Sequence, residues 1–459
     1  MSAGINLQLD ANAIADRARR RIMRRLMPYL FTLFVIAYLD RVNVGYAALQ
    51  MKVELSFTDA TLGFGAGICF WGYFLLEIPG TILVERWSAR RWIARIMISW
   101  GIIAMLMGFV QTKNQFYVLR FLLGLAEAGF FPGVIVYLSH WFRTEDRAKT
   151  IGMFLAALPV SNIIGSPMSG LLMNVAWLGL SGWRWLFIVE GIPAIIFGVI
   201  TIFYLTDRPL QAAWLPDDER EWLRRVLAQE HQAKRASSPL RILQAFRRRE
   251  VILLAVAYFF IVSTHYGFTF WLPSIIKQQS GSSNLRVTLI SAIPYCVGLV
   301  AILLVGWSSD RTQERRWHTA LPILAASVGL LLAVMLRDRF ALSVAMFCIA
   351  AAGIYAYLPG FWSLPTSFLG GTAAAASIGL INSVGNLGGY AGPYVVGYLS
   401  TLTGSFLGGV IYLSLSALVA AGLVLSIRAR KPDRLQFAKY GNESSPLLDK
   451  AIEQQTDSG

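Results

Sequence analysis

The stretch Tyr38-Leu39-Asp40-Arg41-Val42-Asn43 places an acid beside a base inside an apolar run that extends from about Leu26 to about Leu49. An Asp or Arg at the centre of a membrane span costs about 2.5–3.5 kcal/mol on insertion scales, so such residues usually face a partner or a water-filled cavity. We interpret the Asp40–Arg41 pair as part of a pathway through the membrane. The alternative is a structural ion pair that locks helix packing.

The whole chain has the composition of a membrane protein. Of its 459 residues, 56% are hydrophobic and only 15% are charged. A globular protein in water has no need of so much apolar surface. Several apolar runs reach the roughly 20 residues needed to cross about 30 Å of hydrocarbon. The pattern predicts an all-α membrane protein with many spans.

Twelve apolar runs are the predicted spans. Their approximate bounds are 26–49, 60–84, 93–111, 116–140, 149–173, 185–205, 251–273, 287–308, 318–336, 341–364, 373–400 and 405–427. The predicted organisation is a polar segment 1–25, a six-helix bundle 26–205, a central loop 206–250, a second six-helix bundle 251–428 and a tail 429–459. The tail is rich in polar residues, and we expect it to be disordered. The central loop, acidic at its start and basic at its end, suits amphipathic helices on the inner membrane surface.

Basic residues mark one side of the predicted bilayer. The net charge is +15, and the positive charges concentrate in alternate loops, as the positive-inside rule requires. This distribution explains the charge without a nucleic-acid partner. Both chain ends are basic, so we expect both in the cytoplasm and the chain in the cell's inner membrane. The first 25 residues lack the short apolar region of a cleaved signal peptide.

An internal repeat supports the division into two halves. The loop after the second span contains Glu85-Arg86 and Arg90-Arg91-Trp92, and similar groups recur 225 residues later, after the eighth span. Together the two loops predict a cytoplasmic gate of charged residues: Glu85, Arg86, Arg90, Arg91, Asp310, Arg311, Arg315 and Arg316. The alternative for one copy alone is a generic basic loop.

The fourth span carries a second pair of buried charges. Arg120 and Glu127 are seven residues apart, so they lie on one helical face about two turns from each other. Both can therefore face the same cavity. The proton affinity of a buried carboxyl depends on whether a cation stays close to it, and this dependence is the physical basis of a proton switch. Glu77 and Glu190 lie near span ends, and we expect them to be structural.

The sequence contains few features that are typical of an enzyme. No Gly-Lys dipeptide occurs, which excludes the phosphate-binding loop of ATPases. No cluster of His, Cys and carboxylate residues has metal-ligand spacing, and no nucleophile–base pair is recognisable. We therefore expect no cofactor, no metal and no enzymatic activity. His265 lies alone inside the seventh span, where a structural hydrogen bond and a ligand contact are equally open.

Four parts of the sequence together resemble the anion:cation symporter family of the major facilitator superfamily: Tyr38-Leu-Asp40-Arg41-Val-Asn43, the repeated Arg-Arg-Trp loops, Arg120…Glu127-Ala-Gly-Phe-Phe-Pro-Gly, and Tyr266-Gly-Phe-Thr-Phe-Trp-Leu-Pro. The resemblance covers nearly the whole chain. Within the family the sequence is most similar to bacterial tartrate transporters, and it is also similar to sugar-acid, hydroxyphenylacetate and phthalate permeases. It implies twelve helices in two pseudo-symmetric halves and proton-coupled symport of a small organic carboxylate.

The resemblance also implies roles for the four buried charges. Asp40 and Glu127 would carry protons, and Arg120 would couple to Glu127. Arg41 would bind the carboxylate of the substrate.

Further candidates for substrate contact come from five spans. The first-span Tyr, second-span Tyr and eleventh-span Asn of the family match residues here, and we add one fifth-span and one seventh-span residue: Tyr38, Tyr73, Asn162, His265, and Asn382 or Asn386. A fifth-span Gln of the sugar-acid relatives is Leu158 in this chain, which weakens the case for a galactonate-type ligand.

Other functions stay open at this point. The protein could exchange anions without a proton, couple transport to sodium, or act as a nutrient sensor that binds without transporting. The expected partners are a small organic carboxylate anion, protons and the lipid bilayer, and we expect the chain to act as a monomer.

Overall fold

The computed structural model describes residues 2–235, 246–368 and 371–427, so the predicted tail 429–459 lies outside the described residues. Within these ranges the chain forms sixteen α-helices and no β-strand. The helices are α1 Ser2–Glu54, α2 Asp59–Arg86, α3 Ala89–Met107, α4 Lys113–Glu127, α5 Phe130–Ser139, α6 Thr144–Leu155, α7 Ala157–Leu172, α8 Gly182–Tyr204, α9 Asp217–Arg235, α10 Arg249–Ser280, α11 Asn284–Thr312, α12 Trp317–Met335, α13 Phe340–Ala356, α14 Leu358–Phe368, α15 Gly371–Thr403 and α16 Leu407–Leu425.

These helices confirm the predicted all-α membrane fold. Ten helical segments of the described ranges are long and apolar enough to cross a membrane. The other two predicted spans correspond to α3 and α15. Charged Arg90, Arg91 and Arg95 lower the mean hydropathy of α3, and many Gly, Ser and Asn residues lower that of α15. Both nevertheless pack within the bundle, α3 against α8 and α15 against α2 and α10.

Three of the predicted spans consist of two helices each. The interruptions lie at Ala128–Gly129 between α4 and α5, at Ala156 between α6 and α7, and at Tyr357 between α13 and α14. In each case a proline lies within the first three residues of the following helix: Pro132, Pro159 and Pro359. Proline is tolerated there because the first helical N–H groups have no partner in the helix. Gly129 adopts a left-handed φ of 85°, a conformation that residues with a Cβ rarely adopt.

The two ends of the bundle differ in charge. We call the end with the arginines of residues 17–25, the loop after α2, and α9 the basic end. The end with connections 55–58 and 173–181 is the opposite end. At the basic end, Arg17 and Arg21 of α1 pair with Asp218 and Glu219 of α9, each at 3.0 Å. The helix of the central loop therefore docks onto the start of α1.

Contacts between the two halves close the opposite end. There α2 approaches α15 so closely that a Cβ at Gly63 would lie 2.4 Å from the carbonyl oxygen of Pro393. Ser400 of α15 donates a hydrogen bond to Asp59 of α2 at 2.9 Å. An apolar core shared by both halves continues inward from these contacts.

The approach of α4 to α2 within the first half gives a test of this packing. A Cβ at Gly124 would lie 1.9 Å from the carbonyl oxygen of Cys69, a backbone atom that cannot move aside alone. We expect Gly124→Ala to lower the free energy of unfolding by about 1–3 kcal/mol, the cost of overpacking. Thermal unfolding of the purified protein in detergent measures this. Gly422→Ala is the control, because nothing lies within 4 Å of its added Cβ. An equal loss in both variants would contradict the close approach.

Candidate functional site

An ion pair between Arg41 of α1 and Glu127 of α4 forms the centre of the candidate site. The Arg41 guanidinium also donates a hydrogen bond at 2.9 Å to the hydroxyl of Tyr266 on α10. One cation therefore connects the two halves. The side chain of Arg41 is 19% exposed and that of Glu127 is 6% exposed. Charges removed from water in this way interact far more strongly than they do at a surface.

Aromatic rings surround the Arg41 guanidinium. Its central carbon lies 5.3 Å from the ring centre of Tyr73, 5.9 Å from that of Tyr266 and 6.0 Å from that of Phe70. Ring faces carry negative potential, so they stabilise a nearby cation. A cavity of about 20 Å³, lined in part by Arg41, Phe70, Arg120 and Tyr266, adjoins the guanidinium. It has room for about one water molecule, so this conformation is closed around Arg41.

Asp40 does not pair with Arg41 in this structure, which argues against the alternative of a structural Asp40–Arg41 ion pair. Consecutive residues of a helix point about 100° apart, and the two side chains enter different surroundings. Asp40 is buried, and its carboxylate accepts hydrogen bonds from the indole N–H of Trp100 and from Asn43 Nδ2, the latter at 2.8 Å. Both donors are neutral.

Arg120 does not pair with Glu127 in this structure either. Its Nε donates to the carbonyl oxygen of Gly65 at 3.2 Å, and its Nη2 donates to that of Ala66 at 3.4 Å, both on α2. Its buried Nη1 has no hydrogen-bond partner in the described part of the chain. Two helical turns separate Arg120 and Glu127 by about 10.5 Å, and the Arg120 side chain reaches across to α2 instead. The predicted coupling of Arg120 to Glu127 requires another conformation and stays a prediction.

Three of the residues predicted to contact the substrate form hydrogen bonds between the two halves. The Tyr38 hydroxyl and His265 Nε2 are 2.6 Å apart. Asn162 Nδ2 donates to the hydroxyl of Tyr355 at 3.2 Å. Tyr38, Asn162 and His265 are thereby held at the junction of the halves, although their role toward a substrate stays a prediction. The sequence did not indicate Tyr355 as a site residue, because a single Tyr in an apolar span has no distinguishing pattern.

Asn382 and Asn386 already bind a carboxylate of the chain itself. Both side-chain amides donate to Glu77 of α2, Asn386 at 3.2 Å. Ser383 is a more distant donor at 3.5 Å. Glu77 thus joins α2 to α15, in keeping with the structural role expected from its position near a span end. Whether the two asparagines also contact a substrate stays a prediction.

The predicted gate of the first half is described only in part. The side chains of Glu85 and Arg86 lie outside the described residues. The backbone N–H of Arg90 donates to Asp207 at 2.9 Å, and the Ser88 hydroxyl donates to the same carboxylate at 2.7 Å. Asp207 therefore caps the start of α3, a role that the loop sequence did not reveal because the residue lies far along the chain.

The gate residues of the second half also bind within their own half. Arg315 pairs with Asp310 at 2.7 Å, and Arg316 donates to the carbonyl oxygen of Leu425 at the end of α16. Arg311 lies over the Trp307 ring at 5.5 Å. The described contacts therefore stabilise each half separately, and the gating role stays a prediction.

Glu314 caps the first turn of α12 beside this loop. Its carboxylate accepts backbone hydrogen bonds from Trp317 at 2.8 Å and from His318 at 3.2 Å. Partial burial raises the pKa of Glu314, but the hydrogen bonds from Trp317 and His318 outweigh it and leave the pKa below the ordinary value.

A lowered pKa makes this cap sensitive to pH. The stability that Glu314 contributes is present above its ordinary pKa of 4.5 and is lost as the pH falls through the lowered value. We expect Glu314→Gln to destabilise the protein at neutral pH and to flatten its loss of thermal stability toward acid pH. Melting temperatures measured from neutral to acid pH test this, with Asp338→Asn, 91% exposed, as control. Parallel curves for Glu314→Gln and the unsubstituted chain would contradict it.

The geometry can be compared with known proteins. The family model of the Major Facilitator Superfamily matches residues 30–393. A protein of Agrobacterium vitis named "Putative tartrate transporter" is 45% identical over 421 residues, which are 92% of this chain and 96% of the relative. A "Quinolone resistance transporter" of Acinetobacter baumannii is 38% identical over 436 residues, which cover 93% and 98% of the two chains.

A solved structure has the same fold. It is a bacterial homolog of the human lysosomal transporter Spinster, in an inward-facing and unoccupied conformation. The TM-score is 0.71 at 18% identity, and the alignment covers 88% of this chain and 98% of the other.

Proposed function

The chain belongs to the Major Facilitator Superfamily and is therefore a membrane transporter, and we propose that it carries a small organic dicarboxylate such as tartrate together with protons. The proposed location is the cell's inner membrane, with both termini in the cytoplasm. Transporters of this superfamily work by rocking two halves around a central site. The relative named for tartrate supports the substrate class.

The ion pair between Arg41 and Glu127 is the observation that carries the proposal. Arg41 is the buried cation best placed to bind a substrate carboxylate, and Glu127 already occupies it. A substrate carboxylate and the Glu127 carboxylate therefore compete for one guanidinium. Protonation of Glu127 removes its negative charge and frees Arg41 for a bidentate bond with the substrate. The rings of Tyr73 and Tyr266 stabilise the cation during the exchange.

This competition couples substrate movement to proton movement. With the opposite end open, Glu127 takes a proton and Arg41 binds substrate. After the halves rock, Glu127 meets the higher cytoplasmic pH, loses its proton and recaptures Arg41, which expels the substrate. The described state, closed at the opposite end with Arg41 bound to Glu127, fits the step after release. Glu127 competes for Arg41 directly in this cycle, in place of the Arg120 pairing that the family resemblance implies.

The charge of the substrate sets the number of protons. Each uncompensated negative charge that enters against an inside-negative potential costs about 2.3 kcal/mol per 100 mV. A dicarboxylate therefore enters without net charge if two protons accompany it. Asp40 and Glu127 are two candidate carriers. A monoanion carried with the same two protons would move net positive charge inward.

Uptake into proteoliposomes tests the function directly. We expect labelled tartrate to accumulate when an inward proton gradient is imposed and not when it is absent. Galactonate, hydroxyphenylacetate and phthalate serve as competitors that define the substrate class. Exchange without gradient-driven accumulation would favour an anion exchanger, a requirement for sodium would favour a sodium symporter, and binding without any uptake would favour a sensor.

Substitution of Glu127 separates coupling from binding. Glu127→Gln is permanently neutral, so it leaves Arg41 free but cannot release a proton. We expect gradient-driven uptake to fall at least about 100-fold, in the range for loss of a positioned proton-transfer group. Counterflow of substrate between equal pH values should persist. Glu145→Gln, an exposed acid, is the matched control. Loss of counterflow in a folded Glu127→Gln protein would show that Glu127 is needed for binding.

Substitution of Arg41 should remove binding itself. Truncation of one partner of a buried charge pair costs about 2–5 kcal/mol, so Arg41→Ala should abolish the thermal stabilisation that substrate gives the protein. Arg41→Lys should restore little, because Lys lacks the bidentate guanidinium geometry. Arg337→Ala, at an exposed position, is the control. Unchanged stabilisation of Arg41→Ala by substrate would contradict this role.

A further inference from the structure

Glu190 of α8 is a buried carboxyl that the proposed cycle does not use. Its position near a span end predicts a structural role, yet only 4% of the residue is exposed. Neither carboxyl oxygen has a hydrogen bond of ordinary geometry among the described residues. A structural acid at such depth normally has a cation or several donors, because a buried unpaired charge is costly. Glu190 is therefore built unlike the acids that anchor helices here, such as Glu219 with its arginine partner.

The groups around Glu190 lead to Asp40. Asn43 and Ser169 face the Glu190 carboxyl, and Asp40 acts on it electrostatically. Asn43 Nδ2 also donates to Asp40 at 2.8 Å, so the amide lies between two carboxyl groups. The titratable groups that face Glu190 from neighbouring helices are Asp40 and Tyr46, both on α1. A charge on one of these buried carboxyls disfavours a charge on the other.

These groups are arranged in order of depth from the opposite end. At 1.5 Å per helical residue, Ser169 lies about 5 Å from the end of α7 and Glu190 about 12 Å from the start of α8. On the same scale, Asn43 lies about 16 Å and Asp40 about 21 Å from the end of α1. The buried hydroxyl of Ser169 makes no hydrogen bond of ordinary geometry in the described part of the chain. A hydroxyl can both donate and accept a hydrogen bond, so it is suited to pass a proton inward.

We propose that Glu190 is a proton relay that passes protons between the opposite end of the bundle and Asp40. In the inward step, the Glu190 carboxylic acid gives its proton to the Asp40 carboxylate. Glu190 becomes the carboxylate and Asp40 becomes the acid, so the pair keeps one proton and one negative charge. A proton from the opposite end, delivered past Ser169, then restores the Glu190 acid. Asn43 positions the two carboxyl groups during the transfer.

A relay changes the rate of coupling but not its stoichiometry. Glu190 returns to its starting state in each cycle, so Asp40 and Glu127 still account for the two protons. The inference rests on the proposed function, since it assumes that Asp40 loads protons for transport. In this proposal Glu190 is the proton donor that Asp40 otherwise lacks, because the side chains bonded to buried Asp40, those of Trp100 and Asn43, are neutral.

The test uses the full chain in proteoliposomes, with labelled tartrate as probe. We expect Glu190→Gln, which keeps the shape of the neutral acid, to lower gradient-driven uptake at least about tenfold. Counterflow at equal pH, which needs no net proton transfer, should stay close to that of the unsubstituted chain. Glu190→Asp keeps a carboxyl and should recover part of the rate. A purely structural role would instead lower both activities together.

A second pair of variants tests the path outward from Glu190. Ser169→Ala removes the hydroxyl that faces Glu190 and should slow gradient-driven uptake. Ser161→Ala is the matched control on the same helix, because the Ser161 hydroxyl donates to the carbonyl oxygen of Ala157 within its own helix. Equal rates for Ser169→Ala and Ser161→Ala would remove Ser169 from the path.

The outcomes separate the relay from the function. Normal gradient-driven uptake by Glu190→Gln, with the unsubstituted chain active, would overturn the relay alone. Loss of uptake and counterflow together in a folded Glu190→Gln protein would also overturn it, in favour of a structural role. No gradient-driven uptake by the unsubstituted chain would overturn proton symport of tartrate and the relay with it.

Discussion

One positive charge in a dry site can neutralise only one negative charge, and the central site depends on that constraint. Arg41 lies where α1 and α4 of the first half meet α10 of the second, held by Glu127 on one side and by the Tyr266 hydroxyl on the other. A second carboxylate beside Arg41 would bring an uncompensated negative charge into the site while Glu127 is ionised, so in the proposed cycle the resting ion pair acts as a competitor. The attraction between the two charges is stronger in this desolvated pair than in an exposed pair, because little water is present to screen it.

The contacts between the halves combine apolar packing with hydrogen bonds. An apolar core is shared by both halves, and the inner contacts between the halves also include hydrogen bonds such as Tyr38 to His265 and Asn386 to Glu77. A hydrogen bond contributes only about 0.5–1.5 kcal/mol net, since water can replace either partner. Such hydrogen bonds can break and re-form when the halves rock.

The lengths of the apolar runs were enough to predict an all-α membrane fold, and the charges inside those runs were enough to select Asp40, Arg41 and Glu127 as candidates. The sequence could not predict which buried acid pairs with which buried base. The pairing depends on the face that each helix turns toward its neighbour, and packing sets that rotation. In the structure Arg41 pairs with Glu127, 86 residues away, and Arg120 donates hydrogen bonds to backbone carbonyl oxygens of α2. Glu190 was expected to be structural because its sequence neighbours are ordinary, and the proposal of a relay rests on its three-dimensional surroundings, Asn43 and Ser169.

The interruption at Ala128–Gly129 has an electrostatic consequence for this centre. Because α4 ends at Glu127, the negative end of its helix dipole lies at the residue whose side chain binds Arg41. A cation at a helix C-terminus gains about 0.3–1 kcal/mol from that dipole. This attraction does not depend on the charge of Glu127, so in the proposed cycle a fixed partial charge of the backbone would help to hold Arg41 when Glu127 is neutral. A continuous helix through Gly129 would move that partial charge to the end of α5, too far away to steady the guanidinium.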